Sequence, residues 1–230
     1  QTSPSKGTIP CLTKGTRVQT SNGQIKVEDL EPGMRLLTFD GTYAPLRLTL
    51  RKAVSRENLL KNENLAPVRI SAGALGLGLP KVDLLVSRQH RMLVSSPIVQ
   101  RMCGETGVLV AAIRMTVLPG VYVDTSVTDV EYFHLLMDQH RVIFAECAPT
   151  ESLFLGEHIK NSLPSETIEE IRLLFPEIVQ PDHNPEPACS IPNGKKQKQM
   201  LERHVKNDKA PLSLFQFPQK TRVGSTAFLS

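Results

Sequence analysis

The sequence predicts an all-β fold over its first two thirds, and three observations carry that expectation. Apolar residues recur in short alternating runs, turn dipeptides stand between the runs, and helical spacing is almost absent before residue 156. Such a pattern of many short strands with frequent turns points to Greek-key-like or pseudo-symmetric looping.

Taken in order, residues 1–10 carry Pro4, Gly7 and Pro10 and read as an extended lead-in. Thr16–Thr20 alternates around Val18, Asn22-Gly23 supplies the positive φ angles of a two-residue hairpin turn, and Gln24–Val27 alternates again. Glu28-Asp29-Leu30 is a polar step, Pro32-Gly33 a turn, and Met34–Phe39 a strand ended by Asp40-Gly41. Thr42–Leu50 continues as a strand, and the polar stretch Lys52–Asn64 reads as an edge loop. Val68–Ile70 is a short strand and Ser71–Pro80, rich in glycine and leucine, an irregular apolar loop. Asp83–Val86 and Arg91–Val94 are strands flanking Ser87-Arg88-Gln89-His90. Val108–Met115 and Val121–Val123 follow, and Glu131–Met137 with Arg141–Ala145 reads as a hairpin across Asp138-Gln139-His140.

Beyond about Gly156 strand signals vanish and nearly half of the 17 prolines gather. Ser165 is a suitable N-cap for a helix over Glu166–Phe175, stopped by Pro176. Lys195–Val205 is a second helix, Pro181–Pro192 a linker, and Lys206–Ser230 a weakly ordered tail whose Leu212, Leu214, Phe215 and Phe217 are able to dock. A chain cut near Gly156 is expected to stay folded.

Composition narrows the function classes. The 230 residues suit one or two domains, and 40% hydrophobic with 22% charged residues is ordinary for a globular protein. A net charge of +4, from 27 basic and 23 acidic residues spread along the chain, is no footprint for nucleic acid or an anionic membrane. No apolar run reaches membrane-spanning length, and no signal peptide is visible. The chain opens at Gln1 rather than Met and is expected to be a piece of a longer polypeptide; its compartment is left undetermined. The four cysteines, Cys11, Cys103, Cys147 and Cys189, lack C-x-x-C spacing, which argues against a disulfide scaffold and a structural zinc site. No cofactor or metal is called for. A metal site from His134, His140 and Cys147 matches no strong ligand spacing.

Cys11 heads the densest run of turns. The residues Cys11-Leu12, Gly15-Thr16, Val18, Thr20, Gly23, Val27-Glu28-Asp29-Leu30, Pro32-Gly33 and Leu37-Thr38 resemble the opening block of Hint domains, the self-processing module of Hedgehog proteins and inteins. Asp83–Val94 and Glu131–Ser152 are similar to later blocks of the bacterial Hedgehog/intein-type family, so the resemblance runs from Cys11 to Leu155 in three ordered blocks. It implies a flat, horseshoe-like β domain at 11–156, preceded by an upstream segment at 1–10. A C-terminal extension at 157–230, with two short helices and a partly disordered tail, would follow. It also implies a monomer whose substrate is its own upstream polypeptide.

The chemistry that the resemblance implies is an N-to-S acyl shift. Cys11 attacks the Pro10 carbonyl, and the peptide bond becomes a thioester. An amide nitrogen leaves only with a proton, which a histidine supplies best near neutral pH. His90 takes that role, with Ser87 orienting the scissile bond as the first member of the Ser-x-x-His triplet. His90 alone of the six histidines has Ser or Thr three residues before it. The triplet by itself fits a buried structural histidine as well; the Cys11 block decides for the acid. His134 and His140, in the late block, stand where Hint domains bring further polar groups, although each also fits a strand residue bonding the backbone. Asp83 is a further candidate base. Cys103 and Cys147 read as core thiols and Cys189, between prolines, as an exposed spectator.

Splicing is not expected. His183-Asn184 is followed by Pro185, which offers no nucleophile, and Asn161-Ser162 lacks the preceding histidine. Single-turnover, cysteine-initiated self-cleavage, with the thioester resolved by water or an external nucleophile, is therefore one reading. The other is a catalytically silent structural or interaction module on the same fold. Pro10, at the scissile position, restricts the bond and is expected to slow the shift.

Overall fold

The structure, a computed structural model, describes residues 10–153, 186–214 and 216. The expected helix at 166–175 and the Asn161 and Asn184 motifs lie outside them. Thirteen strands form one antiparallel sheet among the described residues. They are β1 (Leu12–Thr13), β2 (Arg17–Thr20), β3 (Gly23–Lys26), β4 (Arg35–Leu37), β5 (Tyr43–Val54), β6 (Val68–Ile70) and β7 (Leu84–Val86), then β8 (Arg91–Val94), β9 (Val108–Ala111), β10 (Val121–Val123), β11 (Val130–Met137), β12 (Val142–Ala145) and β13 (Ala148–Glu151). The order is β10-β6-β7-β1-β11-β5-β4-β2-β12-β13-β8-β9, with β3 beside β2. The twelve-residue β5 is the spine, pairing β4 through Tyr43–Pro45 and β11 from Leu46 to Val54.

The early hairpin forms, but its turn is Ser21-Asn22 rather than the expected Asn22-Gly23: Thr20 pairs with Gly23, which opens β3 and alone carries a positive φ, 97°. Elsewhere tertiary pairing overrides local reading. The expected hairpin of Glu131–Met137 with Arg141–Ala145 does not form: β11 goes to β1 and β5, whereas β12 goes to β2 and β13. The hairpin actually made is β12–β13, with Ala145 opposite Ala148 across Glu146-Cys147. Both turn residues sit at positive φ, 47° and 63°, without a glycine. What holds Glu146 there is Arg17, whose N–H donates to Glu146 Oε1 at 2.6 Å and whose carbonyl accepts from Glu146 N at 2.8 Å.

Three short helices stand where none was expected, one in a stretch read as loop and one in a stretch read as strand. In the expected edge loop, β5 runs on to Val54 and α1 (Arg56–Lys61) follows, its N-cap Ser55 accepting from Asn58 N. α2 (Pro97–Cys103) starts from Ser96, whose hydroxyl accepts from Val99 N, has Pro97 in its first turn, and ends at Gly104 in the left-handed conformation. α3 (Ala112–Met115) ends the run expected as one strand over Val108–Met115.

α4 (Gly194–Lys206) spans the second expected helix and packs on the β body rather than standing apart. Met200, Leu201 and Leu212 are fully buried in the same core as Val18, Leu36, Leu46 and Phe144. Leu212 N donates to Leu75 O at 2.9 Å and Ser95 N to Pro211 O at 2.9 Å, so the segment after α4 is tied to two loops. Gly76 makes room for it: a side chain there would strike Ala210. Cys189 is half-buried on Leu93, Leu109 and Val142, not exposed, because Leu109 N donates to Ser190 O at 2.9 Å and draws the segment across β9. Cys103 and Cys147 are half-buried against the main core.

Candidate active site

β1 has only two residues, yet it lies between β7 and β11. Its register pairs Leu12 with Val86 on one side and with Phe133 on the other. Antiparallel pairing then sets the preceding residue, Cys11, opposite Ser87 and His134 at once. The contacts follow. Ser87 N donates to Cys11 O at 3.0 Å, and Cys11 N donates to Ser87 Oγ at 3.0 Å. The Ser87 hydroxyl also bonds the thiol. His134 Nε2 lies 3.5 Å from Cys11 Sγ, and His134 Nδ1 lies 2.8 Å from Pro10 O. One imidazole therefore touches both the thiol and the carbonyl that precedes it.

His90 is delivered by the turn joining β7 and β8. Its N–H donates to Ser87 O at 3.0 Å, and its carbonyl accepts from Ala112 N at 2.8 Å. Its Nε2 bonds Thr150 Oγ1, while its Nδ1 is buried with no hydrogen-bond partner among the described residues. Thr150 belongs to β13, and the residue after it, Glu151, lies fully buried. Glu151 Oε1 accepts from Arg91 N at 2.8 Å, and Glu151 Oε2 from Arg91 Nη1 at 2.9 Å. His140 occupies the neighbouring corner: its Nε2 is 3.3 Å from Glu151 Oε2, and its Nδ1 accepts from Ala188 N at 3.0 Å. With Nδ1 accepting, the His140 proton sits on Nε2 and points at the carboxylate.

Burial dominates the electrostatics. It pushes the Cys11 thiol well above its usual range, against the bond from Ser87 and the charge of Lys52. It pushes His134 down to about 4, with the Pro10 carbonyl opposing. His90 is likewise pushed to about 4 by burial, with Glu151 pulling upward and Arg91, His134 and His140 adding to the fall. For Glu151 burial raises the carboxyl, but the His140 bond and the charges of Arg91, His90 and His140 outweigh it and hold it below the usual range. At neutral pH the site therefore rests as a neutral thiol, two neutral imidazoles and one buried carboxylate.

Of the five residues singled out from sequence, Cys11, Ser87 and His134 are in direct contact, His90 shares the Ser87 turn, and His140 meets Glu151. Asp83 is tied by Arg69 at 3.1 Å and Ala72 N at 3.0 Å as a half-exposed surface carboxylate. The three members of the hypothetical metal set go to different partners: Cys147 receives a bond from Gln24 Nε2 at 3.1 Å. Thr150 and Glu151 were not singled out from sequence. They follow a turn without a turn signal, and only the β8–β13 register brings them to His90.

Chemically, this arrangement suits attack by Cys11 Sγ on the Pro10 carbonyl carbon. With Nδ1–H donated to Pro10 O, His134 Nε2 is left as a lone pair facing the thiol. Taking the thiol proton makes the ring cationic as the carbonyl oxygen gains negative charge, so the same bond strengthens when it is needed.

A family profile described as Hint domain matches residues 10–157. Among solved structures, the chain is similar to the gp41-1 intein, at 12% identity over 62% of this chain and 98% of that one, with a TM-score of 0.37. A DnaB intein from Synechocystis sp. PCC 6803 aligns at 9% identity over 63% and 99%, with a TM-score of 0.41. A bacterial intein-like domain from Clostridium thermocellum aligns at 9% over 64% and 100%, with a TM-score of 0.36. No curated protein matches the chain.

Proposed function

The chain belongs to the Hint domain family of self-processing modules, and from that premise we propose that it cleaves the bond between Pro10 and Cys11 through a thioester, without splicing. The observation that carries this reading is His134, which spans the thiol at 3.5 Å and the Pro10 carbonyl at 2.8 Å. Cys11 is the nucleophile. His134 takes its proton and donates to the developing oxyanion. Ser87 holds the leaving nitrogen, and His90 serves as the acid from the same turn. In the step the Sγ–C bond forms, the C–N bond breaks, and the thiol proton ends on the Cys11 nitrogen. Water or an external nucleophile then opens the thioester. The domain acts in cis, as a monomer, on the polypeptide upstream of Cys11, with residues 157–230 as its C-terminal extension.

Burial of Cys11 favours a second reading, a silent module, because a neutral thiol with 4% exposure is unreactive at rest. One experiment separates the two. A reporter fused upstream of Gln1 is incubated with dithiothreitol, and its release is followed with time. Release that Cys11→Ala stops, and that Cys103→Ala and Cys189→Ala leave alone, is the expected result. Wild-type release from Cys11→Ala sinks the acyl shift, and no release from the parent chain leaves the silent module.

A further inference from the structure

We infer that Thr150 is a positioning residue that fixes the tautomer of His90, leaving Nδ1 as the one ring atom able to exchange a proton with the scissile bond. This rests on the acyl-shift reading, and it begins from a buried ring nitrogen. His90 is 2% exposed, and its Nδ1 meets no hydrogen-bonding partner among the described residues.

The Thr150 hydroxyl has one hydrogen and three polar neighbours. It lies 3.1 Å from Arg91 O and 3.3 Å from Met92 Sδ, both of which only accept, and against His90 Nε2. The hydrogen goes to the carbonyl, so Thr150 Oγ1 presents a lone pair to the ring and Nε2 carries the proton. The opposite tautomer would strand a buried N–H at Nδ1 and turn a hydroxyl lone pair toward Arg91 O. A buried donor without a partner is the costlier orphan. Both arguments give the same tautomer.

β13 holds the backbone as well as the ring. Thr150 takes the Arg91 carbonyl and Glu151 takes the Arg91 N–H, so the residue after His90 is gripped at both backbone polar groups. The ring cannot turn over without breaking its bond from Nε2 to Thr150 Oγ1. An Nδ1 lone pair fits the proposed step: it takes up the proton that His134 removes from the thiol and gives it to the departing Cys11 nitrogen, so both rings end as they began. Charges facing the ring come from several elements. Glu151 on β13 favours the protonated ring, whereas Arg91 on β8, His134 on β11 and His140 after β11 oppose it.

The test uses the full chain with Cys11→Ala, which cannot cleave, carrying ¹⁵N-labelled histidine. Ring nitrogen shifts at neutral pH should show His90 protonated at Nε2, unchanged in Thr150→Ser and redistributed toward Nδ1–H in Thr150→Val. A parent chain with His90 protonated at Nδ1, or Thr150→Val with an unaltered tautomer, overturns the inference. In chains that retain Cys11, dithiothreitol release should fall on the order of 10²-fold or more in Thr150→Val and stay within about twofold in Thr150→Ser. Equal release from both variants also overturns it. If Thr150→Val does not fold, the parent tautomer and Thr150→Ser still decide. Failure of the parent chain to release reporter defeats the acyl shift, while the tautomer is read separately.

Discussion

Two imidazoles are buried around the Cys11–Ser87 pair, and burial drives both to about 4, yet they are built differently. His134, on the β11 side, has both nitrogens engaged, one by the Cys11 thiol and one by the Pro10 carbonyl. His90, on the β8 side, spends one nitrogen on Thr150 and keeps the other unsatisfied. The lesson is that a displaced pKa marks a buried site without assigning roles; hydrogen-bond partners assign them. The supports differ too. His134 stands in the long β5–β11 ladder, whereas the His90 carbonyl is held by Ala112, the first residue of α3, on which α4 packs.

That asymmetry predicts its own largest effect. A chain ending at Glu157 loses Met200, Leu201 and Leu212, all fully buried. Truncating one such side chain to alanine costs about 2–5 kcal/mol, so losing three consumes most of the roughly 5–15 kcal/mol that holds a domain together. The shortened chain should lose its cooperative unfolding transition, and Leu201→Ala alone should lower the melting temperature by several degrees. In hydrogen exchange of Leu201→Ala, β8 and β9 should open before β5 and β11. A cooperative transition at the full-length temperature would show that the β body stands alone.

Next in size is cleavage itself. His134→Ala removes the base at the thiol and the donor at the carbonyl together, so thiol-induced release should fall on the order of 10⁴-fold or more. His90→Ala removes one proton donor and should cost roughly 10²–10⁴-fold. His134→Gln, which keeps an amide donor but no base, should fall between them. Reporter release beside thermal unfolding measures all three. Should His90→Ala be the more damaged variant at unchanged stability, the roles of the two rings are reversed.

Much of this was legible in the sequence, for identifiable reasons. The β2–β3 hairpin is signalled by Asn22-Gly23, although its turn falls one residue earlier on Ser21-Asn22, and Lys195–Val205 is helical in sequence and in space, because both depend on neighbours along the chain. The membership of Cys11, Ser87, His90, His134 and His140 in matching blocks was readable as well. What His134 touches was not: it follows from β1 being inserted between β7 and β11, a pairing over more than 70 residues on each side. The β12–β13 hairpin was hidden because Glu146-Cys147 adopts positive φ under the grip of Arg17 rather than by its own preference. With that strand unseen, Thr150 and Glu151 had no visible route to His90.

The smallest of these effects is on stability, and it compares the two rings directly. The ordinary histidine value is 6.5, and in the fold both rings accept a proton only near 4. Between those values the unfolded chain binds more protons than the folded one, so stability rises with pH. It is fully present above about 6.5 and falls away as pH drops from there toward 4. A shift of that size is worth ~3 kcal/mol per ring over the whole window. Glu151, held below its ordinary value of 4.5, keeps its full contribution down to about that pH and loses it only as pH falls further, so it adds little between pH 7.5 and pH 5. Urea unfolding at about pH 7.5 and pH 5 should therefore show a marked loss in the acid. His134→Gln and His90→Gln should each flatten part of that dependence. The two parts should be similar, since burial is the leading cause in both, even though the cleavage defects differ widely. A chain whose stability is level across this window would show that neither ring is buried neutral, and the comparison would then rest on hydrogen bonds alone.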